Sequence, residues 1–450
     1  MFNWQGFEIR NTGFSDPLDR QMRLLAGILG HTLRRQAGEE IFALAEKLVR
    51  KCSAAGDADS KLKETQTWLE ELGIEEMIWL IRTYTAFFHL MNEAERQEII
   101  RKYREDAVRE SPECPVSHSL NQAFFHLKQQ GMTSEQMLTL FGHLDIQPTL
   151  TAHPTEARRG SILYKQKRIS SLLSQLRFQN ELSEAEQHDI VMQIYRQVAL
   201  MMVTDDRRAE QLSIEDDIRN SIHFCTTSIW ETVPGIYADV QHAFETYFSE
   251  HCQVPVFLRY RTRIGGDQSP AMIEKALMSY RTAALKRYQE GLNRLWEEFS
   301  ISSRRLKIPK ELTASLEKEA LCMSLGDNVH IRRRYEPYRL KISYMEQRMS
   351  QMIANPANML YSADAFLSDL LLLERCVENS GLEDVAASGL LSEMISCVRA
   401  FGFHLLSLDI CRTSSVHEAV IHELFSIAGV SSDYSRMPEY EKSCCSNANC

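Results

Sequence analysis

The sequence predicts a mainly α-helical protein with a few short parallel strands, which form part of a (β/α)8, TIM-like barrel wall that is incomplete in this chain. Two observations carry that reading. Apolar residues recur at helical spacing along most of the chain. Three short segments, Ile146 to Ala152, Val254 to Ile264 and Phe403 to Ile410, break the rhythm with apolar or β-branched residues, and each ends in a polar or charged cluster. Helices fill the long intervals between them, and strands joined by helical crossovers pair in parallel. Three strands cannot close a barrel, which needs about eight. Either the sheet is open or part of the barrel is missing.

In chain order, Ile41, Leu44, Ala45, Leu48, Val49 and Cys52 mark a helix packed on one face. A small-residue loop follows, Ser53 to Ser60. The same period at Ile74, Met77, Ile78, Ile81 and Phe88 predicts a second helix with a core-facing stripe. Ser183 with Glu186 is a capping box that opens a long helix through Ile190, Ile194 and Leu200. These elements divide the chain into an N-terminal helical region, 1–145, a helix-rich partial barrel, 146–442, and an aberrant Cys-rich tail, 443–450. The tail places Cys444, Cys445 and Cys450 in a stretch without apolar periodicity. It reads as a metal-binding tail or as a frameshifted or artificial end, and adjacent cysteines seldom bridge each other.

A length of 450 residues allows two or three ordinary domains or one large one. Hydrophobic residues at 44% and charged residues at 25% fit a soluble globular chain. The net charge of -10 argues against a general nucleic-acid binder, which needs a basic face. It leaves room for an anionic small substrate, because local arginine clusters set the field in a cleft. The first residues lack the basic and apolar regions of a secretory signal. No apolar run approaches the ~20 residues needed to span a bilayer. Eleven cysteines without a CxxC pair read as reduced thiols in a cytoplasmic protein. HExxH spacing is absent and His251-Cys252 is too close a pair to chelate well, so the sequence offers no metal site of its own.

The most informative stretch is Thr149-Leu150-Thr151-Ala152-His153-Pro154-Thr155-Glu156. Pro154 forces His153 into extended geometry and ends the strand there. A strand's end is where α/β barrels present catalytic groups. A lone histidine is ordinarily a satisfied packing residue. Here Arg158, Arg159, Lys165, Lys167 and Arg168 follow at once, and cations grouped around a histidine suit an anionic substrate.

Several segments together resemble phosphoenolpyruvate carboxylase, from about Asp16 to about Lys442. TAHPTEARR is similar to the family's first signature, whose histidine is catalytic; that residue is His153 here. FGFHLLSLDICRTSSVHEAV, from Phe401, resembles the FGFHLxxLDIRQ segment. Ile264-Gly265-Gly266-Asp267 resembles the start of GGDRDGNP. Smaller matches are Thr204-Asp205-Asp206 with the arginines after it, Trp230-Glu231-Thr232-Val233-Pro234, and Glu336-Pro337-Tyr338-Arg339. The resemblance implies bicarbonate-dependent carboxylation of phosphoenolpyruvate to oxaloacetate and phosphate, with magnesium. It also implies a homo-oligomer, a tetramer for a complete chain. His153 would be the catalytic residue, with Arg159, Arg412 and Asp267 as substrate contacts.

Departures accompany the matches. Family members are about twice this length, and their C-terminal half holds the magnesium carboxylates, a glycine-rich loop, a catalytic lysine and several substrate arginines. The arginine expected after Leu408-Asp409-Ile410 is Cys411, and Arg412 comes one place later. On a strand, that shift turns the side chain to the opposite face. After Asp267 the chain runs into Gln268-Ser269-Pro270, and Arg263 stands where an apolar aromatic is usual. These departures predict a chain that is inactive alone. The reading from another class is a non-catalytic decayed relative that serves as a helical binding or scaffold protein.

Overall fold

The structure, a computed structural model, describes residues 7, 14–53, 58–151, 159–176, 182–205, 213–249, 254–325, 334–355, 361–430, 433–438 and 442. The helices begin with α1 (Asp16–Ala37), α2 (Glu39–Ser53), α3 (Ala58–Glu70), α4 (Ile74–Arg109), α5 (Leu120–Gln129) and α6 (Ser134–His143). Strand β1 (Thr149–Leu150) precedes α7 (Gly160–Leu176), α8 (Glu184–Met202), α9 (Ile214–Phe224) and α10 (Trp230–Phe248). After β2 (Arg261–Thr262) come α11 (Pro270–Glu298), α12 (Lys310–Cys322), α13 (Pro337–Ala354), α14 (Ala363–Glu378), α15 (Glu383–Ala387) and α16 (Leu390–Phe401). Strand β3 (Ser407–Leu408) and α17 (Ser414–Ile427) follow. The protein is mainly α, as its apolar periodicity predicts. The tail after 442 lies outside the described residues.

Packing divides the chain into two compact units, residues 1–122 with 153–211 and residues 123–152 with 212–450. Both are discontinuous in sequence.

In the first unit, α1 is the central helix, with Leu25, Ile28, Leu29 and Leu33 fully buried. The α2 stripe faces this core through fully buried Ala45, although Cys52 is exposed and Phe42, off the predicted stripe, is buried beside it. Phe42 stacks on Phe7 at 5.2 Å, with the Arg34 guanidinium 3.7 Å from its ring centre. The Ser183–Glu186 capping box forms as predicted, Ser183 N–H donating to Glu186 at 2.8 Å and Glu186 N–H to the Ser183 hydroxyl at 3.3 Å. Leu200, predicted on the buried face of α8, is exposed, and Val198, Met201 and Met202 are buried in its place.

Helix α4 corrects the sequence reading more sharply. Ile74, Met77, Ile78, Ile81 and Phe88 are all exposed, and the core takes Leu80, Ala86, Leu90 and Ala94. The first half of this helix is apolar nearly all round, so hydrophobicity alone does not choose the inward face.

The second unit is built around a parallel sheet of order β1-β2-β3. Its regular strands are shorter than the predicted segments, yet ladder bonds run beyond them. Ile146 N–H donates to Phe257 O at 2.7 Å, and Asp409 N–H to Thr262 O at 2.8 Å. Pro148 is tolerated because it sits on the edge strand, where its carbonyl accepts from Arg261 N–H at 3.0 Å and no outward donor is needed. Beneath the sheet lie fully buried Tyr280, Tyr288, Phe366 and Leu370. The Tyr288 hydroxyl braces the approach to β3 by donating to Gly402 O at 2.8 Å, and the Tyr338 hydroxyl ties α13 to α14 by donating to Cys376 O at 2.9 Å. Lys341, fully buried, bridges Glu319 at 2.7 Å and Asp369 at 2.6 Å, which ties α12, α13 and α14 together. No helix among the described residues is long and apolar enough to cross a membrane.

Candidate active site on the open face of the sheet

Strand β2 and its flanks read Leu258-Arg259-Tyr260-Arg261-Thr262-Arg263, cation alternating with neutral residue. A pleated strand sends such alternating sets to opposite faces. Leu258 and Thr262 are buried and Tyr260 packs against the core. Arg259, Arg261 and Arg263 therefore share the other face, with Arg259 and Arg263 exposed. Pairing register puts Thr149 and Ser407 beside Arg261, while Leu150, Thr262 and Leu408 line up on the core side. The open face of the sheet is thus polar, with a row of guanidinium groups down its middle strand.

Arg261 reaches across to Asp409 at 3.5 Å. Both side chains are partly exposed, and such pairs are worth only ~0–1 kcal/mol. An incoming anion can therefore take the guanidinium from Asp409 at little cost.

The turn after β2 is clasped to the extension of β3. Gly265 has φ +89°, and a Cβ on Gly266 would lie 1.9 Å from the Asp409 carbonyl oxygen, so only glycine lets these backbones pass. Cys411 N–H donates to Gly266 O at 3.2 Å. Arg412 donates from its guanidinium to the Gln268 carbonyl and to its own neighbour's, Cys411 O, at 3.2 Å. Beneath the turn, the Tyr280 hydroxyl donates to Ile264 O at 3.4 Å, and burial raises the Tyr280 phenol above its ordinary range.

The sequence-predicted residues fall as follows. His153 lies outside the described residues, beyond the end of β1 at Leu150. Arg159 belongs to the first unit, just before α7, with its Nη1 3.6 Å from the Asp205 carboxylate. That contact joins the TAHPTEARR segment to the Thr204-Asp205 segment. Lys165 turns back to Ser161 O at 3.2 Å, and Arg168 binds Gln193 at 2.8 Å. Asp267 and Arg412 come together in the second unit. Asp267 is exposed and accepts from the Gln268 side chain at 2.9 Å, while Arg412 holds the backbone of the same turn. Cys411 is exposed, and by alternation from Ser407 and Asp409 it extends the arginine-bearing face.

The other motif segments are scaffold. Trp230 stacks on Phe401 at 5.0 Å, and Arg339 donates to Trp296 O at 2.7 Å. A cavity of about 740 Å³ between α10, α11 and α16 holds none of the sequence-predicted site residues.

Magnesium asks for several oxygen ligands in near-octahedral array. Among the described residues no group of three or more His, Cys, Asp or Glu is placed to hold a metal, and Asp409 is already paired with Arg261. The described residues do not fit that ion.

Sequence reading missed the arginine row and Asp409. The signal was there, since R-x-R-x-R with neutral residues between, Tyr260 and Thr262, is the pattern of a strand that is charged on one side only.

Guanidinium groups displayed on the open face of a parallel sheet, at the ends of strands within a helical body, have the chemistry that suits an anionic ligand. The chain belongs to the phosphoenolpyruvate carboxylase family, whose sequence model matches residues 18–445. It is 41% identical over 445 residues to phosphoenolpyruvate carboxylase of Rhodothermus marinus, covering 96% of this chain and 47% of that one. The enzyme of Roseiflexus castenholzii is 27% identical over 452 residues, covering 95% and 48%. That of Thermus thermophilus is 27% identical over 432 residues, covering 94% and 47%. The chain spans about half the length of the curated relatives it matches, and it corresponds to the N-terminal half of the family.

Proposed function

We propose that this chain supplies the N-terminal part of a phosphoenolpyruvate carboxylase, the sheet being one sector of its barrel and the open face lining its substrate side. The observation that carries this reading is the row Arg259, Arg261 and Arg263 beside the strand ends, in a chain that belongs to the family. In the reaction, a bicarbonate oxygen attacks phosphorus and the bond to the enol oxygen breaks, giving carboxyphosphate and the enolate of pyruvate. Carboxyphosphate then parts into carbon dioxide and phosphate, and the enolate carbon attacks carbon dioxide to give oxaloacetate. Guanidinium groups suit the phosphoryl oxygens and the developing charge. His153 is the proton carrier at the carboxyphosphate stage, a role that matches an imidazole near neutral pH. Arg159, Arg412 and Asp267 are assigned to binding and shaping the site. Magnesium would supply positive charge for the enolate, and its ligands would come from the part of the family's length that this chain does not match. The protein acts in the cytoplasm as a homo-oligomer, and the chain alone is inactive.

A full-length chimera, with the C-terminal half of the Rhodothermus marinus relative joined after residue 442, tests the reading. It should form oxaloacetate only with both bicarbonate and magnesium. His153→Ala should abolish carboxylation while phosphoenolpyruvate still binds. Arg261→Ala should raise the KM for phosphoenolpyruvate by ~10-fold or more. A chimera that is folded but equally active with His153→Ala would refute the assignment.

A further inference from the structure

We propose that the apolar stripe of α17 and the free edge of β3 form a docking face for the half of the enzyme that this chain does not match, and that they bind it even as a separate polypeptide. The inference rests on the family reading above. Helix α17 is folded, yet none of its residues is buried. Val416, Val420, Leu424 and Ile427 fall on one face at i, i+4, i+8 and i+11 and are 43%, 51%, 58% and 77% exposed. Ile410, in the link before the helix, is also exposed. The other side of α17 is occupied. Phe425 meets the Tyr434 ring edge-on at 5.1 Å, and Lys442 pairs with Glu418.

Strand β3 shows the same one-sidedness. Its ladder bonds run to β2, from Ser407 N–H to Tyr260 O at 3.0 Å and from Asp409 N–H to Thr262 O. Among the described residues no strand pairs with its outer edge. An unpaired parallel edge beside a bare amphipathic helix is the surface that the next strand and crossover helix of a parallel sheet would cover.

Length identifies the occupant. The family match ends at residue 445, the matched region is 47–48% of the relatives above, and the chain corresponds to the N-terminal half of the family, so about as much polypeptide follows the match in them. A second copy fits poorly, because twofold pairing of β3 with itself is antiparallel, whereas this sheet grows by parallel strands. Both parts of the face are formed within this chain, so a covalent link adds effective concentration and no contact of its own.

The test co-expresses this chain with a tagged C-terminal half of the Rhodothermus marinus relative and measures recovery and affinity of the complex. A 1:1 complex is expected. Val420→Asp with Leu424→Asp should weaken it by about 100-fold or more, since each change drives a charge into an apolar contact. Ser426→Asp, exposed and off the stripe, should leave it unchanged. Circular dichroism and melting temperature should match wild type in all variants, because every altered side chain is solvent-exposed. The proposal fails if wild type recovers no partner, if the double variant binds as well as wild type, or if the stripe instead drives homodimerisation. A complex that forms without carboxylating would sink the functional reading and keep this one. An active covalent chimera with no association between separate halves would do the reverse.

Discussion

Position 411 sets the chemistry available at the end of β3. Ser407 and Asp409 share the face of Arg261, and the next residue in alternation is Cys411, whose thiol is exposed there. Arg412 spends its guanidinium on the Gln268 carbonyl, bracing the turn that Gly266 lets pass against Asp409. In the full-length chimera, Cys411→Arg with Arg412→Gln should return a cation to the arginine-bearing face and raise turnover by well over ~10-fold. Steady-state kcat with saturating bicarbonate is the measurement. Equal turnover with and without the exchange would mean that Arg412 already serves the substrate from its present position. At this scale the sequence was partly legible. The glycines and the one-residue displacement of the arginine can be read directly. The cross-strand Arg261–Asp409 pair cannot, because it joins residues far apart in the chain and depends on register.

At the scale of elements, local rules were reliable where local chemistry decides and failed where packing decides. The Ser183–Glu186 box predicted the start of α8 because both reciprocal hydrogen bonds lie within one turn. The inward face of α4 was misread, since two apolar stripes compete and only the position of its neighbours chooses between them. The same packing explains a pH effect invisible in the sequence. Glu98 on α4 accepts from Arg101 at 2.7 Å and from the Ser15 hydroxyl at 2.6 Å. The Arg101 hydrogen bond comes first in holding its carboxyl down to about 2, from an ordinary value of 4.5. A carboxyl depressed in the folded state contributes stability that is present above its unfolded value and is lost as pH falls through its folded one. The first unit should therefore lose stability between about pH 4.5 and pH 2. Glu98→Gln should melt lower at neutral pH and show a shallower decline across that window. Melting temperatures of both proteins in a pH series check this, and parallel curves would remove Glu98 as the cause.

For the whole molecule, helical character and parallel strand pairing were legible because both follow from periodicity and crossover length. The interleaving of the two units was not, since which distant segments pack together is a tertiary choice. The same separation bears on activity. Arg159 and Asp205 lie in one unit, and the arginine row, Asp267 and Arg412 lie in the other. Neither unit carries, among its described residues, a carboxylate cluster placed for a metal. Loss of one transition-state charge donor typically lowers a rate by ~10²–10³, and here Cys411 stands where the family resemblance implies an arginine. The purified 450-residue chain should therefore make no oxaloacetate from phosphoenolpyruvate, bicarbonate and magnesium above the level of its own His153→Ala variant. Coupled reduction of oxaloacetate, followed at substrate concentrations well above those the relatives need, is the assay. Turnover that requires both bicarbonate and His153 would show that this half of the enzyme is catalytically sufficient, and that the arginine row does more of the chemistry than its geometry alone implies.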